Sequence, residues 1–215
     1  MLKRNKKIII LTAIITLLPI LMGVILWDQL PDQIATHFDF NGQPDDWSSK
    51  PFAVFGLPAI LFAIHLLCTL GTAADPRRQN ISDKMMHLVL WICPIISILT
   101  NGSVYLIALG KDINIGLICM IMVGVMFIIV GNYLPKCRQN YTMGIKLPWT
   151  LADEDNWNKT HRMAGWLWMA EGVIFLVMAF MGKINFGVFI STIIITTLVP
   201  TIYSFLLYRK KNKEE

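Results

Sequence analysis

Six long apolar stretches alternate with short polar segments along this chain of 215 residues. Each stretch reaches or approaches the ~20 residues that an α-helix needs to cross the hydrocarbon of a bilayer. Lipid offers the backbone no hydrogen-bond partners, so helices are the expected form of these stretches. The pattern predicts an all-α integral membrane protein, a bundle of six transmembrane helices at residues 8–27, 52–70, 86–109, 115–134, 164–180 and 186–208.

Composition agrees with this prediction and indicates no second domain. Hydrophobic residues make up 55% of the chain and charged residues only 15%, whereas a typical soluble domain has about 25% charged residues. No linker, low-complexity tract or internal repeat interrupts the sequence. We therefore expect a single membrane domain over residues 1–215, located in the plasma membrane as a multi-pass protein.

Basic residues set the expected orientation. Sixteen of the 19 lysines and arginines lie at the two termini and in the second and fourth loops, and only Lys50, Lys111 and Lys183 lie elsewhere. Because basic residues concentrate on the cytoplasmic side of membrane proteins, both termini are predicted to be cytoplasmic. This asymmetry also accounts for the formal net charge of +5. The lipid bilayer is therefore an expected partner and nucleic acid is not.

The first loop, residues 28–51, is then extracellular, and it carries five aspartates against one lysine. Its sequence "THFDFNGQ" alternates apolar and polar residues and ends in Asn41-Gly42, the commonest two-residue hairpin turn. We therefore predict a small β-hairpin in this loop. The two-residue turn would place Phe38 opposite Asp45, with the phenyl ring directed towards the membrane surface or the helix ends.

The same register places His37 opposite Asp46 and on one face with Asp39. A histidine with two carboxylates is a weak candidate for a divalent metal site. The alternatives are a hydrogen-bonded pair, a surface that attracts a cationic peptide, or plain loop structure. The candidate partner-binding residues of the loop are His37, Asp39, Asn41, Asp45, Asp46 and Trp47.

The fourth loop, residues 135–163, is the longest predicted cytoplasmic segment. Pro148 disfavours helical geometry in the residue before it, so we expect Thr150 to cap a helix with acidic residues in its first turn. Trp157 and His161 are four residues apart and share a face of this amphipathic helix, which we expect to continue into the fifth span. The segment is either an interfacial helix or a docking surface for a cytoplasmic protein. The docking candidates are Asn140, Lys146, Pro148, Trp149, Trp157, His161 and Arg162.

Ionisable side chains inside the spans are few. Glu171 lies roughly 10 Å below the cytoplasmic boundary at ~1.5 Å per residue, and His65 lies at a similar depth in the second span. Such residues are costly in lipid and are candidates for function. We expect Glu171 to pair with His65, or with Asn132, either as a structural hydrogen bond or as a proton-linked switch. The intramembrane polar candidates are His65, His87, Asn132 and Glu171.

The sequence carries no signature of a common enzyme site. It contains no H-E-x-x-H motif, no nucleophile elbow and no Gly-rich phosphate loop. Three of the four cysteines lie inside predicted spans, and Cys137 is cytoplasmic, so neither a disulfide nor a cysteine metal site is expected. We therefore predict no catalytic residues, no cofactor and no enzyme activity.

Two sequence motifs are more specific indicators of a protein family than the apolar spans are. The outer "LPDQIATHFDFNGQPD" and the cytoplasmic "GIKLPWTLADEDNWNKTHR" together resemble the SdpI family, the membrane immunity proteins for the sporulation-delaying peptide toxin of Gram-positive bacteria. The resemblance covers most of the chain, and the six-span shape of that family agrees with the count of apolar stretches.

The resemblance implies resistance to a secreted toxin, a peptide or protein that meets the outer loop. It further implies toxin sensing, with a cytoplasmic transcriptional repressor held at the membrane as a second partner. Two other classes of function stay open. One is a small proton-linked transporter that uses Glu171 and His65, and the other is a metal-dependent membrane enzyme that uses the candidate metal site of the first loop.

Overall fold

The computed structural model describes residues 1–40 and 42–213, so the predicted turn residue Asn41 lies outside the described residues. The helices are α1 (Lys6–Ile25), α2 (Leu57–Ala74, directly after a π-helical turn at Phe52–Gly56), α3 (Asp83–Ala108), α4 (Ile115–Tyr133), α5 (Pro148–Ala152), α6 (Glu154–Phe180) and α7 (Phe186–Lys211). The strands are β1 (Gln33–Phe38) and β2 (Pro44–Ser49), which form a two-stranded sheet.

The predicted fold class is confirmed. Within the described residues, six helices are long and apolar enough to cross a membrane, and each of them overlaps one of the predicted spans, with ends that differ by a few residues. The fifth begins at Glu154 rather than at residue 164, because the predicted amphipathic helix and the fifth span form one continuous helix, α6. The orientation of the termini stays a prediction.

The start of α6 differs from the prediction. Asp153, not Thr150, caps this helix, and its side chain accepts a hydrogen bond from the backbone N–H of Asp155. Thr150 instead lies within the short helix α5, where its hydroxyl oxygen accepts from the N–H of Leu147 at 2.9 Å. The prediction failed because Thr150 and Asp153 both suit a cap, and the sequence does not show that a separate helical turn precedes α6.

The predicted hairpin forms with a different register. His37 has Asp46 as its Cα partner, as expected, but Phe38 pairs with Pro44 rather than with Asp45. Pro44 is the first residue of its strand, a position where its missing N–H is tolerated.

The turn of the hairpin is one residue longer than predicted. The N–H of Asp39 donates to the carbonyl of Gln43 at 2.8 Å, which leaves three residues in the loop. Gly42 has a φ of 79°, as a three-residue hairpin loop with a bulge requires. The prediction failed because an Asn-Gly pair also fits the last two positions of this longer loop.

The chain divides into two compact units. Unit 1 comprises Met1–Ala73 and Met86–Cys119, and unit 2 comprises Ala74–Met85 and Met120–Glu215. The single domain that the sequence predicts therefore stays a prediction.

The hairpin of unit 1 is anchored by apolar side chains. Phe38 packs against the buried core of this unit. The core joins the hairpin to the π-helical turn, the end of α3 and the start of α4. Its fully packed members are Leu30, Ile34, Ala53, Val54, Val104, Tyr105 and Ile115.

In unit 2, α4 and α6 cross in close contact at two pairs of glycines. A Cβ atom built on Gly172 would lie 2.5 Å from the carbonyl oxygen of Gly124, and one built on Gly131 would lie 2.8 Å from the carbonyl oxygen of Gly165. Small residues let helix backbones approach closely in lipid, where no hydrophobic force drives helices together. The short distance between the two helix backbones therefore depends on these glycines.

We expect Gly172→Ala to destabilise unit 2, because the new methyl group overlaps the Gly124 carbonyl and the helices must move apart. The expected loss is about 1–3 kcal/mol, typical of overpacking, and it would appear as a lower midpoint of thermal unfolding in detergent. Gly102→Ala is the matched control, since a Cβ there meets no atom within 4 Å. Equal midpoints for the two variants would contradict the close crossing.

Candidate functional site

The turn end of the hairpin carries a histidine–aspartate pair. Nδ1 of His37 lies 2.6 Å from Oδ1 of Asp45, and the two side chains are 69% and 46% exposed. A polar pair with this exposure is surrounded by water and adds little to stability. The pair is therefore available to another molecule.

The weak candidate metal site at His37, Asp39 and Asp46 does not form. Among residues 1–40 and 42–213, no group of three histidine, cysteine or acidic side chains is placed to hold a metal ion. His37 turns to Asp45, while Asp39 accepts the backbone N–H of Gln43 at 2.7 Å. Asp46 accepts the N–H of its neighbour Trp47 at 2.9 Å. These carboxylates support the backbone of the hairpin instead of converging.

The base of the hairpin is tied to the end of α1. Nζ of Lys50 donates to the carbonyl oxygen of Trp27 at 3.2 Å and lies 3.3 Å from a carboxylate oxygen of Asp32. The same ammonium group lies 5.4 Å from the centre of the Trp27 ring, within the range of a cation–π interaction. The one lysine of the acidic loop is thereby used for attachment.

The exposed part of the hairpin is polar and carries one large aromatic side chain. Trp47 is 53% exposed, and Asp45, Asp46 and His37 are also exposed. We call these four residues the hairpin face. Partner binding at the hairpin face stays a prediction.

In unit 2, the connecting segment, residues 137–147 between α4 and α5, is held by one buried asparagine. Asn140 is 1% exposed, and its side-chain oxygen accepts the N–H groups of Thr142 and Met143 at 2.9 and 2.7 Å. Its amide nitrogen donates to the carbonyl of Arg138 and to Sγ of Cys137. Burial raises the pKa of the Cys137 thiol, and the hydrogen bond from Asn140 opposes that rise.

A stacked tryptophan and histidine on α6 support the same segment. The rings of Trp157 and His161 lie 3.9 Å apart, and the Trp157 indole N–H donates to the carbonyl of Cys137 at 2.7 Å. Nε2 of His161 accepts the N–H of Ile145 at 2.9 Å. A backbone N–H can only donate, so Nε2 is unprotonated and the hydrogen is on Nδ1, facing the Trp157 carbonyl.

Close approach of the backbone to these rings requires a glycine. Gly144 has a φ of 101°, and a Cβ there would lie 2.3 Å from Nε2 of His161. Any other residue would push the connecting segment away from α6.

The second loop, residues 75–82, is bonded to the connecting segment. One oxygen of Asp75 accepts the N–H of Tyr141 at 2.9 Å and the hydroxyl of Thr142 at 2.5 Å. Arg77 donates to the side-chain oxygen of Gln139 and lies over the Tyr141 ring at 5.0 Å. Two segments that are separated by about 60 residues thus form one continuous hydrogen-bonded layer.

The end of α7 completes this layer. The indole N–H of Trp149 donates to the Ser204 hydroxyl, and the amide of Asn156 donates to the Ser204 carbonyl, both at 2.9 Å. Lys211 lies 3.2 Å from Asp153. Partial burial tends to raise the pKa of Asp153, but hydrogen bonds from Lys211 and from backbone N–H groups lower it, and the net shift is downward.

The predicted docking residues separate into two groups. Asn140, Trp157 and His161 are at most 1% exposed, so they hold the layer together and have no free surface to offer. Lys146, Pro148 and Arg162 are exposed, and Trp149 is half-buried against α7. Docking stays a prediction, and only the second group could touch a partner directly.

The intramembrane polar residues are described within their own units. In unit 1, Nε2 of His65 lies 3.3 Å from the Thr12 hydroxyl, and Nε2 of His87 lies 3.0 Å from the side-chain oxygen of Asn5. Nδ1 of His65 has no hydrogen-bond partner among the described residues.

In unit 2, Glu171 is 1% exposed, and neither carboxyl oxygen has a hydrogen-bond partner in the described part of the chain. The alternative partner Asn132 accepts instead from Lys136 at 3.3 Å. The hydroxyls of Thr192 and Thr196 lie near the carboxyl, but both donate to carbonyls of their own helix. The pair of Glu171 with His65, which belongs to the other unit, stays a prediction.

Several residues that build these sites escaped the sequence analysis. Asp75 and Gln139 bond segments that are distant along the chain, and no local pattern marks them. The glycine pairs did leave a signal, because Gly124 and Gly131, like Gly165 and Gly172, are seven residues apart, two turns along a helix.

We expect Asn140→Ala to destabilise the connecting segment, because it removes the partner of two backbone N–H groups and one carbonyl. Leaving buried polar groups unpaired costs about 1–3 kcal/mol, measurable as a lower unfolding midpoint and as faster proteolysis between residues 137 and 147. Asn158→Ala, at an exposed position of α6, is the matched control. A variant at residue 140 that behaves like this control would contradict the structural role.

Comparisons with known proteins follow the same two regions. The model of the SdpI/YfhL protein family matches residues 136–204, from the connecting segment to α7. The model named Domain of unknown function (DUF1648) matches residues 14–62, which include the hairpin.

One curated relative matches over nearly its whole length. The chain is 29% identical to the Immunity protein SdpI of Bacillus subtilis (strain 168) over 208 residues, which cover 94% of this chain and 97% of the relative. No solved structure matches the chain. The comparisons therefore confirm the predicted resemblance of this multi-pass membrane protein to the SdpI/YfhL family.

Proposed function

We propose that this chain is a membrane immunity protein that protects its host from a secreted peptide or protein toxin. The observation that carries the proposal is the match to an immunity protein over 94% of the chain. The hairpin and the connecting segment, the two built polar regions, both lie within segments that family models match. Protection by binding a toxin requires no catalytic group, and the metal-dependent enzyme loses its support together with its metal site.

The hairpin face is the surface that we assign to the toxin. In the predicted orientation, the outer loops carry six acidic residues against three basic ones. Such a field attracts cationic molecules and raises their rate of association. Trp47 adds exposed apolar area in the middle of this charge, and aromatic anchors dominate the energy of many interfaces. A cationic, amphipathic toxin fits both features.

The test of the function is survival. A sensitive host that expresses the chain is exposed to a set of secreted peptide toxins, and the toxin that it survives becomes the probe. The Immunity protein SdpI of Bacillus subtilis, which is 29% identical, is the positive control. If that protein protects the host and this chain, at verified membrane expression, protects against no toxin, the result would count against the proposal.

With that probe, replacing Asp39, Asp45 and Asp46 together by asparagine should weaken protection. The change removes three negative charges and the partner of His37, and association rates depend on such charges by factors of about 10–10³. We expect the highest toxin concentration that the cells survive to fall on the order of ten-fold. The difference from the wild-type protein should be smaller at high salt.

The matched control replaces Asp28, Asp32 and Asp112 by asparagine, which removes the same charge from the same predicted side outside the hairpin face. If both triple variants lose protection equally, net charge and not the hairpin face determines binding. Full protection by the first variant at equal expression would remove the hairpin from the mechanism.

On the predicted cytoplasmic side, we assign docking of a cytoplasmic repressor to the exposed edge of the hydrogen-bonded layer around the connecting segment. We call this exposed edge the docking edge. Lys146, Pro148 and Arg162 are exposed there, and the hydrogen bonds of Asn140 and His161 hold the backbone beneath them. A rigid backbone lowers the entropy lost when a partner binds.

We expect Arg162→Glu to abolish the transcriptional response to the toxin while survival stays at the wild-type level. The substitution reverses one exposed charge on the docking edge and disturbs no hydrogen bond of the buried layer. RNA sequencing of cells with and without toxin is the measurement, and Lys213→Glu near the end of the chain is the control. An unchanged response in Arg162→Glu would place any docking elsewhere.

A further inference from the structure

A line of buried polar side chains runs between the helices of unit 1, beside its apolar core. Along the same helices, Ile14 and Leu67 point outward and are 60% and 70% exposed. The inward-facing polar side chains are at most 2% exposed. We call this set the polar track, and its members are Thr12, Thr16, His65, Ser97, Asn101 and Tyr105.

Hydrogen bonds connect most of the polar track into one series. His65 lies 3.3 Å from the Thr12 hydroxyl, and the Thr16 hydroxyl donates to the Thr12 carbonyl at 2.7 Å. From α3, the Ser97 hydroxyl donates to the Thr16 carbonyl at 2.7 Å. The side-chain nitrogen of Asn101 lies 3.4 Å from the Ser97 oxygen.

The track continues one helical turn further along α3 to Tyr105. Its hydroxyl lies 3.0 Å from the position that a Cβ on Gly23 would occupy. From Thr12 to Gly23, α1 rises ~16 Å at ~1.5 Å per residue. The polar track therefore extends over about half of the ~30 Å thickness of the hydrocarbon layer.

Three atoms of the track are buried without a hydrogen-bond partner among residues 1–40 and 42–213. They are Nδ1 of His65, Oδ1 of Asn101 and the hydroxyl of Tyr105. Hydrogen bonds within and between helices satisfy the other polar groups of the track, as in many membrane bundles. They do not explain these three atoms, because a buried polar group that lacks a partner is costly, and most so in lipid.

We propose that the polar track binds a chain of water molecules. Buried water bonds to two to four polar groups. Oδ1 of Asn101 can accept a hydrogen bond, the Tyr105 hydroxyl can donate or accept one, and the role of Nδ1 of His65 depends on the tautomer of the ring. Within the described residues, no cluster of histidine, cysteine or acidic side chains is placed to hold a metal ion. A neutral ligand that both donates and accepts matches the track.

Radiolytic hydroxyl-radical labelling of the whole protein in detergent tests the proposal, because a pulse of X-rays converts bound water into radicals that modify adjacent side chains. Tyr105 should be labelled although it is 1% exposed. Phe175, an aromatic residue that is 0% exposed in unit 2, is the matched control and should stay unlabelled. Each yield is divided by the yield of the same residue in denatured protein.

Asn101→Leu should abolish the labelling of Tyr105, because it replaces a polar wall of the track by an apolar one. If this variant does not fold, Tyr105→Phe gives a second measurement. Loss of a hydroxyl that bonds to water should lower the unfolding midpoint, whereas loss of an unpaired hydroxyl should leave it unchanged or raise it. Absence of Tyr105 labelling in the wild-type protein, or a midpoint of Tyr105→Phe at or above the wild-type value, would overturn the proposal.

Discussion

Irregular backbone that is buried from water must find a partner for its N–H and C=O groups within the protein, and this constraint organises unit 2. The connecting segment has no helix or sheet of its own to bond its backbone. Side chains from three directions therefore reach it: Asn140 from within, Trp157 and His161 from α6, and Asp75 from the second loop. The cytoplasmic motif of this region includes Trp157 and His161, so part of its specificity reflects backbone support.

In the hairpin, regular strand pairing supplies the hydrogen-bond partners of the backbone. Its strands bond to each other, and apolar side chains on one face fix it to the core of unit 1. The second strand is exposed over most of its length and carries charge there, because Asp45, Asp46 and Trp47 are all exposed. An immunity protein that meets a cationic toxin outside and a repressor inside would need a stable support on each side. The proposed function assigns the two partners to these two structures.

Inside the hydrocarbon, the two units hold their helices together by different means. In unit 2, glycine pairs allow α4 and α6 to approach to backbone contact. In unit 1, polar side chains of α1, α2 and α3 face one another, and three of their atoms have no hydrogen-bond partner in the part of the chain that the structure describes. Close packing leaves no room for another molecule, whereas the polar track supplies the groups that water binds.

The sequence by itself determined the class of the protein, the six spans and the presence of a hairpin. Apolar length and local alternation express these features directly, because each depends on neighbours within about 20 residues. Only the tertiary structure decided that the turn has three residues, that His37 turns to Asp45, and that Asp153 caps α6. It also decided that Trp157 and His161 are buried, although their shared helix face was predictable. These outcomes depend on groups that lie far apart in the chain or on competition between equally suitable residues, and a local pattern contains neither kind of information.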